Sequence, residues 1–357
     1  MPKTVHIDRE KLSDAQLAES APAALEDGAV RLAVESFSVT SNNVTYAVAG
    51  DRMGYWNFFP APDGKGVVPM WGHARVIESN HSDIAVGERV YGYLPMGEQL
   101  DVLPGKVAPG SFLDTSAHRQ PMAVIYNQYA RLVADPEHDP AREAERMIFG
   151  PLFKTGYLIE TMFRGEDWFG AETMVMTSAS SKTSMALASV AKDKSPRVRR
   201  VGVTSAGNVE FTRATGLYDD VLTYDEVASL PAVPSVSVDF AGNASVLRAI
   251  HETLGEQLKY SCLVGVTHID GREGGAGGMP GPEPILFFAP TYAAAEIKKQ
   301  GMQAFGEAIA ASWRRFLGEV EGTVEIERRQ GISAARDTFV EMVGGQVDPA
   351  KGIVIEV

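Results

Sequence analysis

The sequence predicts an α/β protein in which a β-rich segment is followed by a parallel sheet covered by helices on both faces. Three observations support this fold class. The first 135 residues alternate apolar and polar positions between closely spaced glycines and prolines. After residue 136, short apolar strands alternate with helical patterns, as in βαβ units. The length of 357 residues exceeds what one core usually supports and suits two domains.

The β-rich segment is expected to form a small barrel or sandwich. Residues 29–39 alternate as a half-buried strand does, 67–77 suggest two strands around a turn, and 86–94 form a turn that enters a strand. Residues 142–164 then carry apolar side chains at helical spacing. Pro151 is expected to divide this stretch into two helices, because proline lacks the backbone N–H and crowds the preceding turn.

The second half shows the alternation that a parallel sheet requires. Its predicted strands are 173–177, 200–204, 221–223, 236–240, 261–267 and 285–288, with helices at 184–191, 209–215 and 244–254. A long amphipathic helix at 293–317, a strand at 324–327, a short helix through Met342 and a last strand at 353–357 are expected to follow.

Composition excludes several classes of function. A net charge of −13 repels phosphate backbones, so no nucleic-acid partner is expected. The single cysteine, Cys262, rules out an intrachain disulfide and a cysteine-rich zinc site. There is no apolar run near the roughly 18 residues of a membrane span and no signal-peptide pattern, so a cytoplasmic protein without a membrane partner is expected.

Three motifs occur in a characteristic order: Ser41-Asn-Asn-Val-Thr-Tyr46, Val86-Gly-Glu-Arg-Val-Tyr-Gly92 and Asp348-Pro-Ala-Lys-Gly-Ile-Val-Ile355. Together they resemble the medium-chain dehydrogenase/reductase superfamily over nearly the whole chain, with the first motif at a strand-turn of that family. The resemblance implies a GroES-like substrate domain at 1–135 and 290–357 and a Rossmann-type NADP-binding domain at 136–289.

Four other segments resemble a little-characterised branch labelled as a domain of unknown function. They are Tyr55-Trp-Asn-Phe-Phe-Pro60, Tyr126-Asn-Gln-Tyr129, Ser178-Ala-Ser-Ser-Lys-Thr183 and Phe287-Phe-Ala-Pro290. The branch implies no particular substrate. Its aromatic run from Tyr55 to Phe59 could line an apolar pocket or be core, and the sequence leaves both open.

The segment after the first parallel strand is the most informative for a cofactor. A dinucleotide fold carries G-x-G-x-x-G there, whereas this chain has Ser178-Ala-Ser-Ser-Lys-Thr183 and no glycine. Ser180, Ser181 and Thr183 could donate hydrogen bonds to a diphosphate, and Lys182 could add charge. The alternative is an ordinary serine-capped helix that binds nothing.

The end of the second parallel strand favours NADPH over NADH. An NAD site usually has an acidic residue there, but this chain has Ser205 and Asn208, with Arg213 soon after. The resemblance to NADPH-linked quinone reductases adds Tyr224 near the same phosphate and Thr155 near the nicotinamide. Gly242 permits close approach to the cofactor.

His268, at the end of the fifth strand, could lie near the nicotinamide or be structural. Zinc-assisted chemistry is disfavoured, because the seven histidines and one cysteine show no metal-ligand spacing. What remains is hydride transfer to a polarised double bond or quinone, which needs a proton donor. Tyr46 beside Asn42 or Asn43 is the first candidate, since this turn faces the cofactor in the family. Tyr126 with Asn127 is the second.

Three functions therefore stay open. The chain could be an NADPH-dependent reductase of an apolar or aromatic enone-like or quinone-like substrate, an NADP-binding sensor or partner-binding protein without turnover, or a scaffold that has lost the cofactor. The resemblance also implies a homodimer formed through an edge strand at 285–288, which would otherwise be exposed.

Overall fold

The computed structural model describes residues 1–264, 278–346 and 348–357. The chain divides into a first unit of Met1–Ile148 and Glu325–Val357 and a second unit of Phe149–Val324. These limits differ from the expected 1–135, 136–289 and 290–357, because the segment between 290 and 324 packs in the second unit. The Trp313 ring, for example, lies 5.2 Å from the Phe153 ring.

The elements follow in chain order. The first are β1 (Lys3–Asp8), β2 (Ala15–Glu19), β3 (Val30–Val39), α1 (Ser41–Val48), β4 (Lys65–Gly66), β5 (Pro69–Ser79), β6 (Arg89–Pro95), β7 (Gln99–Val102), β8 (Pro104–Ala108), β9 (Ser111–Asp114), β10 (Gln128–Arg131) and α2 (Glu143–Gly165). The others are β11 (Thr173–Thr177), α3 (Lys182–Lys194), β12 (Arg199–Thr204), α4 (Val209–Ala214), β13 (Asp220–Thr223), β14 (Ser235–Asp239), α5 (Ala244–Leu254), β15 (Leu258–Leu263), β16 (Ile285–Leu286), α6 (Ala289–Gln300), α7 (Met302–Glu319), β17 (Glu325–Gln330), α8 (Gly331–Val343) and β18 (Lys351–Glu356).

The first unit is built on a largely antiparallel sheet. Its described strands run in the order β17-β18-β3-β5-β6-β10-β9-β8, with β7 beside β3. β18 belongs to the C-terminal return and pairs with β3, so that Ile355 lies opposite Phe37. Both side chains are fully buried together with Phe339 of α8 in one apolar core. The return is therefore an integral part of this unit.

The second unit is built on a parallel sheet whose described strands run in the order β13-β12-β11-β14-β15-β16. Counted along the chain this is 3-2-1-4-5-6, the doubly wound order, and the predicted parallel sheet is confirmed. The fifth and sixth strands end at Leu263 and Leu286, earlier than expected. The order reverses between β11 and β14, so the loops that follow these strands diverge and leave a crevice.

Two expectations for the first unit are wrong. The segment 67–77 contains no turn, because β5 runs unbroken from Pro69 to Ser79. Gly72 serves close packing instead, since a Cβ there would lie 2.2 Å from the backbone oxygen of Ser36. The segment 41–46 begins helix α1 and is not a strand-turn. The Asn43 side chain accepts from the backbone N–H of Thr40 at 2.7 Å and caps this helix.

The helix boundaries at Pro151 and Gly301 also differ from expectation. Helix α2 continues through Pro151. A proline removes the N–H that would bond the carbonyl four residues earlier, here Met147. The Ser38 hydroxyl donates to that oxygen at 2.6 Å, so the carbonyl is satisfied and the helix continues. Conversely, the single helix expected at 293–317 is two, α6 and α7, which meet at Gly301 with a φ of 88°.

Among the described residues, no helix has the length and apolar character to cross a bilayer.

Candidate functional site

The loop after β11 follows a glycine-type path without glycine. Ser178 has a φ of 48°, in the left-handed region that side chains other than glycine rarely adopt. The N–H of Ser181 closes the turn by donating to the Ser178 oxygen at 2.8 Å. The N–H of Ala179 donates to the Val203 oxygen of β12 at 3.1 Å. The loop is thereby fixed to the neighbouring strand.

Helix α3 begins directly after this loop. The Ser181 hydroxyl accepts from the backbone N–H of Ser184 at 3.3 Å and caps the helix. Lys182 and Thr183 are the first two helical residues, and backbone N–H groups in the first turn of a helix point out of its end. The positive end of the helix dipole lies at the same place. This end of α3 is therefore suited to bind a phosphate.

Ser180 is enclosed by side chains that follow from β12. Its Oγ accepts from Thr204 Oγ1 at 3.4 Å and from Asn208 Nδ2 at 3.1 Å, and the residue is only 6% exposed. Since two donors already occupy its oxygen, the Ser180 hydroxyl is left to act as a donor to a ligand. The structure thus brings Ser180 and Asn208 together, with Asn208 holding Ser180 in place.

The other predicted residues near β12, β13 and β14 are spread around this loop. Ser205 is exposed at the end of β12, and Arg213 is exposed on α4 with its guanidinium donating to a backbone oxygen of β13 at 3.2 Å. Tyr224 hydrogen-bonds to Ser178; burial raises its pKa, although that bond lowers it in part. Gly242 follows β14 with a φ of 68°.

The ends of β11 and β14 are joined by Thr177 and Asp239. The Thr177 hydroxyl donates to the fully buried Asp239 carboxylate and accepts from the backbone N–H of Phe240 at 2.9 Å. The same carboxylate accepts from the N–H of Ala241 at 3.1 Å. Asp239 therefore has a structural role at the edge of the crevice.

One predicted residue, Thr155, lies away from this loop. Thr155 is half-buried on α2, with its hydroxyl donating to the Pro151 oxygen at 3.2 Å. Its neighbour Gly156 lies against α3, where a Cβ would be 2.6 Å from the Leu187 nitrogen. His268 falls outside the described residues.

A second group of candidate residues lies in the first unit, where five aromatic side chains form one cluster: Tyr46, Tyr55, Trp71, Tyr93 and Tyr126. The indole N–H of Trp71 donates to the Tyr46 hydroxyl at 3.2 Å, and Asn42 hydrogen-bonds to the same hydroxyl. The hydroxyls of Tyr55 and Tyr126 are 3.3 Å apart. The three predicted catalytic residues, Tyr46, Asn42 and Tyr126, are thus brought into one tyrosine cluster.

Burial controls the chemistry of the tyrosine cluster. It raises the pKa of Tyr46, against the opposing hydrogen bonds from Trp71 and Asn42, and it raises the pKa values of Tyr55, Tyr93 and Tyr126 as well. All four phenols therefore keep their protons at neutral pH. The Tyr93 hydroxyl faces that of Tyr46 but is buried without a well-aligned hydrogen bond in the described part of the chain, so it retains donor capacity.

A fully buried arginine supports the tyrosine cluster. The Arg119 guanidinium pairs with Asp114 at 3.0 Å and donates to Asn127 Oδ1 at 3.1 Å. It also donates to the Tyr129 hydroxyl at 2.9 Å and to the backbone carbonyl oxygen of Tyr126 at 2.6 Å. The side-chain amide of Asn127 also donates to the Arg119 oxygen at 2.9 Å. Asn127, proposed from the sequence as a partner of Tyr126 in catalysis, is therefore occupied in holding Arg119.

The aromatic run is mainly core. All four of its ring-bearing residues are buried: Tyr55, Trp56, Phe58 and Phe59. Trp56 packs over Gly66, where a Cβ would lie 2.3 Å from the indole. Asn43 is likewise buried, and its amide donates to the Pro69 oxygen at 2.8 Å. Of this run, only Tyr55 contributes a hydroxyl to the tyrosine cluster.

Sequence reasoning missed Trp71, Tyr93 and Tyr218. Trp71 and Tyr93 are opposite each other in the register of β5 and β6, so an assigned hairpin register would have paired them. Tyr218, which contacts the β11 loop, stands in no motif. Among the described residues, no group of three or more His, Cys, Asp or Glu side chains is placed to hold a metal ion.

The chain resembles several proteins of known structure. They include CurA from Vibrio vulnificus in complex with NADPH (TM-score 0.62, 14% identity, 99% of each chain). A quinone oxidoreductase from Coxiella burnetii (TM-score 0.57, 13% identity, 100% of this chain and 99% of that one) and the CurK enoyl reductase (TM-score 0.59, 10% identity, 99% of each chain) are also similar. At these identities the likeness shows the fold, and it confirms the predicted combination of GroES-like and Rossmann-type units.

A comparison with curated proteins finds no match. One family model, described as Protein of unknown function (DUF2855), matches residues 37–348. Because that model spans most of the chain, the protein belongs to the DUF2855 family and has the fold of the medium-chain dehydrogenase/reductase superfamily.

Proposed function

We propose that this protein is a zinc-independent reductase that uses NADPH to reduce an activated double bond or quinone of the α,β-unsaturated carbonyl class. The observation that carries the proposal is the β11 loop. It lies where the 3-2-1-4-5-6 sheet reverses, and it presents a helix N-terminus beside a donor serine. CurA, with the same fold, is described in complex with NADPH, and others of this fold are a quinone oxidoreductase and an enoyl reductase.

The residues of the second unit fit this dinucleotide. The backbone N–H groups of Lys182 and Thr183 and the Ser180 hydroxyl are donors for the diphosphate. Beyond β12, Ser205 and Arg213 are exposed donors suited to a 2′-phosphate, and Ser205 stands where an NAD site has an acid.

The residues of the first unit fit the proton chemistry. Bound NADPH supplies the hydride, and the Tyr46 hydroxyl supplies the proton. Trp71 and Asn42 hydrogen-bond to that hydroxyl and orient it. The Tyr126 hydroxyl donates to the substrate's carbonyl oxygen and stabilises its developing negative charge. Ring-lined surroundings suit an apolar or aromatic substrate.

Thermal unfolding with each reduced dinucleotide tests cofactor binding. NADPH at about 100 times its dissociation constant stabilises the folded protein by about 2.7 kcal/mol and raises Tm by several degrees. NADH should raise it less, and Arg213→Glu should reduce the difference between the two. No shift with either dinucleotide would contradict the proposal.

Turnover distinguishes the reductase from a non-catalytic NADP-binding sensor or partner-binding protein. The proposal predicts oxidation of NADPH in the presence of members of a panel of enones and quinones. Saturable NADPH binding without oxidation across the panel would favour the non-catalytic alternative, which the glycine-free loop motivates.

We also propose a homodimer through β16. This strand is an edge strand of the described parallel sheet, and its Ile285 side chain is 47% exposed. Ile285→Lys should convert the dimer to a monomer in light scattering. A wild-type monomer would contradict this part of the proposal.

A further inference from the structure

We infer that Tyr218 is a positioning residue that holds the β11 loop in its phosphate-binding shape. The inference rests on the proposed NADPH-dependent function and extends it to a residue that never touches the cofactor. Tyr218 comes just before β13, two strands away from β11 in the sheet. Its side chain is half-buried, with the hydroxyl end turned toward the loop.

The Tyr218 hydroxyl joins the two sides of the turn. It donates to the Ala179 oxygen at 2.6 Å and lies 2.9 Å from the Ser184 Oγ. A phenol has one proton, and here the Ala179 oxygen accepts it. The Ser184 hydroxyl must then donate to the Tyr218 oxygen. Ala179 belongs to the loop and Ser184 to the first turn of α3, so one side chain fixes the loop to the helix.

A glycine in β12 makes room for this arrangement. A Cβ at Gly202 would lie 2.8 Å from the Ala179 Cβ and 2.9 Å from Tyr218 Cδ1. Any larger residue would force apart the loop and the tyrosine ring. Gly202 thus allows the contact between Ala179 and Tyr218, although it lies outside the loop that normally carries the glycines.

The loop needs such support because its backbone is strained. A serine in the left-handed region costs about 1–2 kcal/mol relative to the ordinary conformation, so Ser178 alone would not favour the observed turn. The bonds through Tyr218 hold the turn and keep the Ser180 hydroxyl and the first N–H groups of α3 in one arrangement. A preorganised site loses less conformational freedom when it binds its ligand.

The substitution Tyr218→Phe removes only the oxygen that makes these bonds. Hydrogen–deuterium exchange of the free protein should then accelerate about tenfold at the amides of 179–184, with little change elsewhere. The dissociation constant of NADPH, measured by fluorescence titration, should rise about tenfold, while kcat at saturating NADPH stays within about twofold. Tyr292→Phe is the matched control. It removes a hydroxyl that hydrogen-bonds to Tyr260 in the same unit and should change neither quantity.

A double-mutant cycle tests the route of the effect. Ser184→Ala should also weaken NADPH binding, but the double variant should bind no worse than Tyr218→Phe alone, because both remove the same hydrogen-bonded link. Unchanged exchange in Tyr218→Phe, or additive effects of the two substitutions, would overturn the inference. A loosened loop in a protein that never binds NADPH would instead contradict the proposed function and leave the structural role of Tyr218 supported.

Discussion

The β11 loop and the tyrosine cluster are built in opposite ways. The loop is a continuous stretch, 178–183, and its donors are fixed mainly by hydrogen bonds to the adjacent strands and to α3. The tyrosine cluster draws its side chains from α1, β5, β6 and two short helical turns at Tyr55–Asn57 and Val124–Tyr126. Its hydroxyls are placed by ring packing, and burial sets their pKa values.

Under the proposed function, this difference makes cofactor binding and proton transfer separable. The loop offers backbone N–H groups, which side-chain substitutions leave in place as long as the turn holds. The tyrosine cluster offers phenol protons, which a single substitution removes. Variants of the loop should therefore act on the NADPH dissociation constant, and variants of the tyrosine cluster on turnover.

Tyr46→Phe should give the largest effect. Loss of a general acid lowers kcat by about 10²–10⁴-fold, whereas the NADPH dissociation constant should stay unchanged. Steady-state kinetics with a substrate from the enone and quinone panel, together with fluorescence titration, measure both. Tyr91→Phe is the control, since Tyr91 is buried in the same unit and its hydroxyl is 3.4 Å from the Arg146 oxygen. If Tyr46→Phe loses both NADPH binding and turnover, the separation of binding from proton transfer is contradicted.

Arg119→Leu tests whether the tyrosine cluster depends on its buried support. The substitution leaves Asp114 buried without its partner, and breaking a buried pair in this way costs about 3–5 kcal/mol. Urea denaturation should show the transition of the first unit moving to lower urea concentration.

The control for Arg119→Leu is Arg197→Leu. Arg197 pairs with Asp167 at the surface, where their side chains are 76% and 84% exposed, so no measurable change is expected. A change of less than about 1 kcal/mol in Arg119→Leu would show that the tyrosine rings hold the cluster without the buried cation.

A third prediction uses His73 of β5, which is fully buried. Burial lowers its pKa to about 3; Glu143 opposes this shift, while Arg146, Arg89 and His138 add to it. The folded state thus disfavours the charged imidazole, whereas the unfolded chain protonates near pH 6.5. The contribution of the neutral His73 to the free energy of unfolding is therefore complete above that pH and is lost as the pH falls toward 3. The loss between pH 7 and 5 should be on the order of 2 kcal/mol.

His73→Phe keeps a ring beside Tyr91 and removes the titration. Its free energy of unfolding, from urea denaturation at pH 7, 6 and 5, should fall less steeply than that of the wild type, because only the lowered pKa values of His6 and His251 remain. Titration of Glu143 does not contribute to the pH dependence between pH 7 and 5. Burial raises its pKa, but hydrogen bonds from Arg89 and His138 lower it to about 2, so it titrates only below about pH 4.5. Equal slopes for the variant and the wild type would contradict this prediction.

The parts of the fold that follow from neighbouring residues could be predicted from the sequence. The strands at 173–177 and 200–204 show as apolar runs, and helix α5 coincides with its predicted span at Ala244–Leu254. The position of the β11 loop followed from the strand and helix that flank it. In each case the pattern depends on residues within a few positions, which a sequence displays directly.

The failures depend on contacts between distant segments. Pro151 predicts a break unless one knows that Ser38 satisfies the freed Met147 oxygen, 109 residues away in the chain. Gly72 resembles a turn residue until β3 is placed against it. Membership of the tyrosine cluster likewise depends on register, since Trp71 and Tyr93 meet only when β5 and β6 pair. No local pattern carries this information.

The smallest expected effect concerns Ser178. Ser178→Ala and Ser178→Gly both lose the side-chain hydrogen bond to Tyr224, so they differ only in the Cβ that is strained at a φ of 48°. The alanine variant should therefore be about 1 kcal/mol less stable than the glycine variant in urea denaturation. The glycine variant should stay close to the wild type, because relief of strain offsets the lost bond. Equal stabilities of the two variants would mean that the turn does not hold residue 178 in the left-handed region. In that case the backbone would not fix the loop, and the contrast with the tyrosine cluster would be wrong.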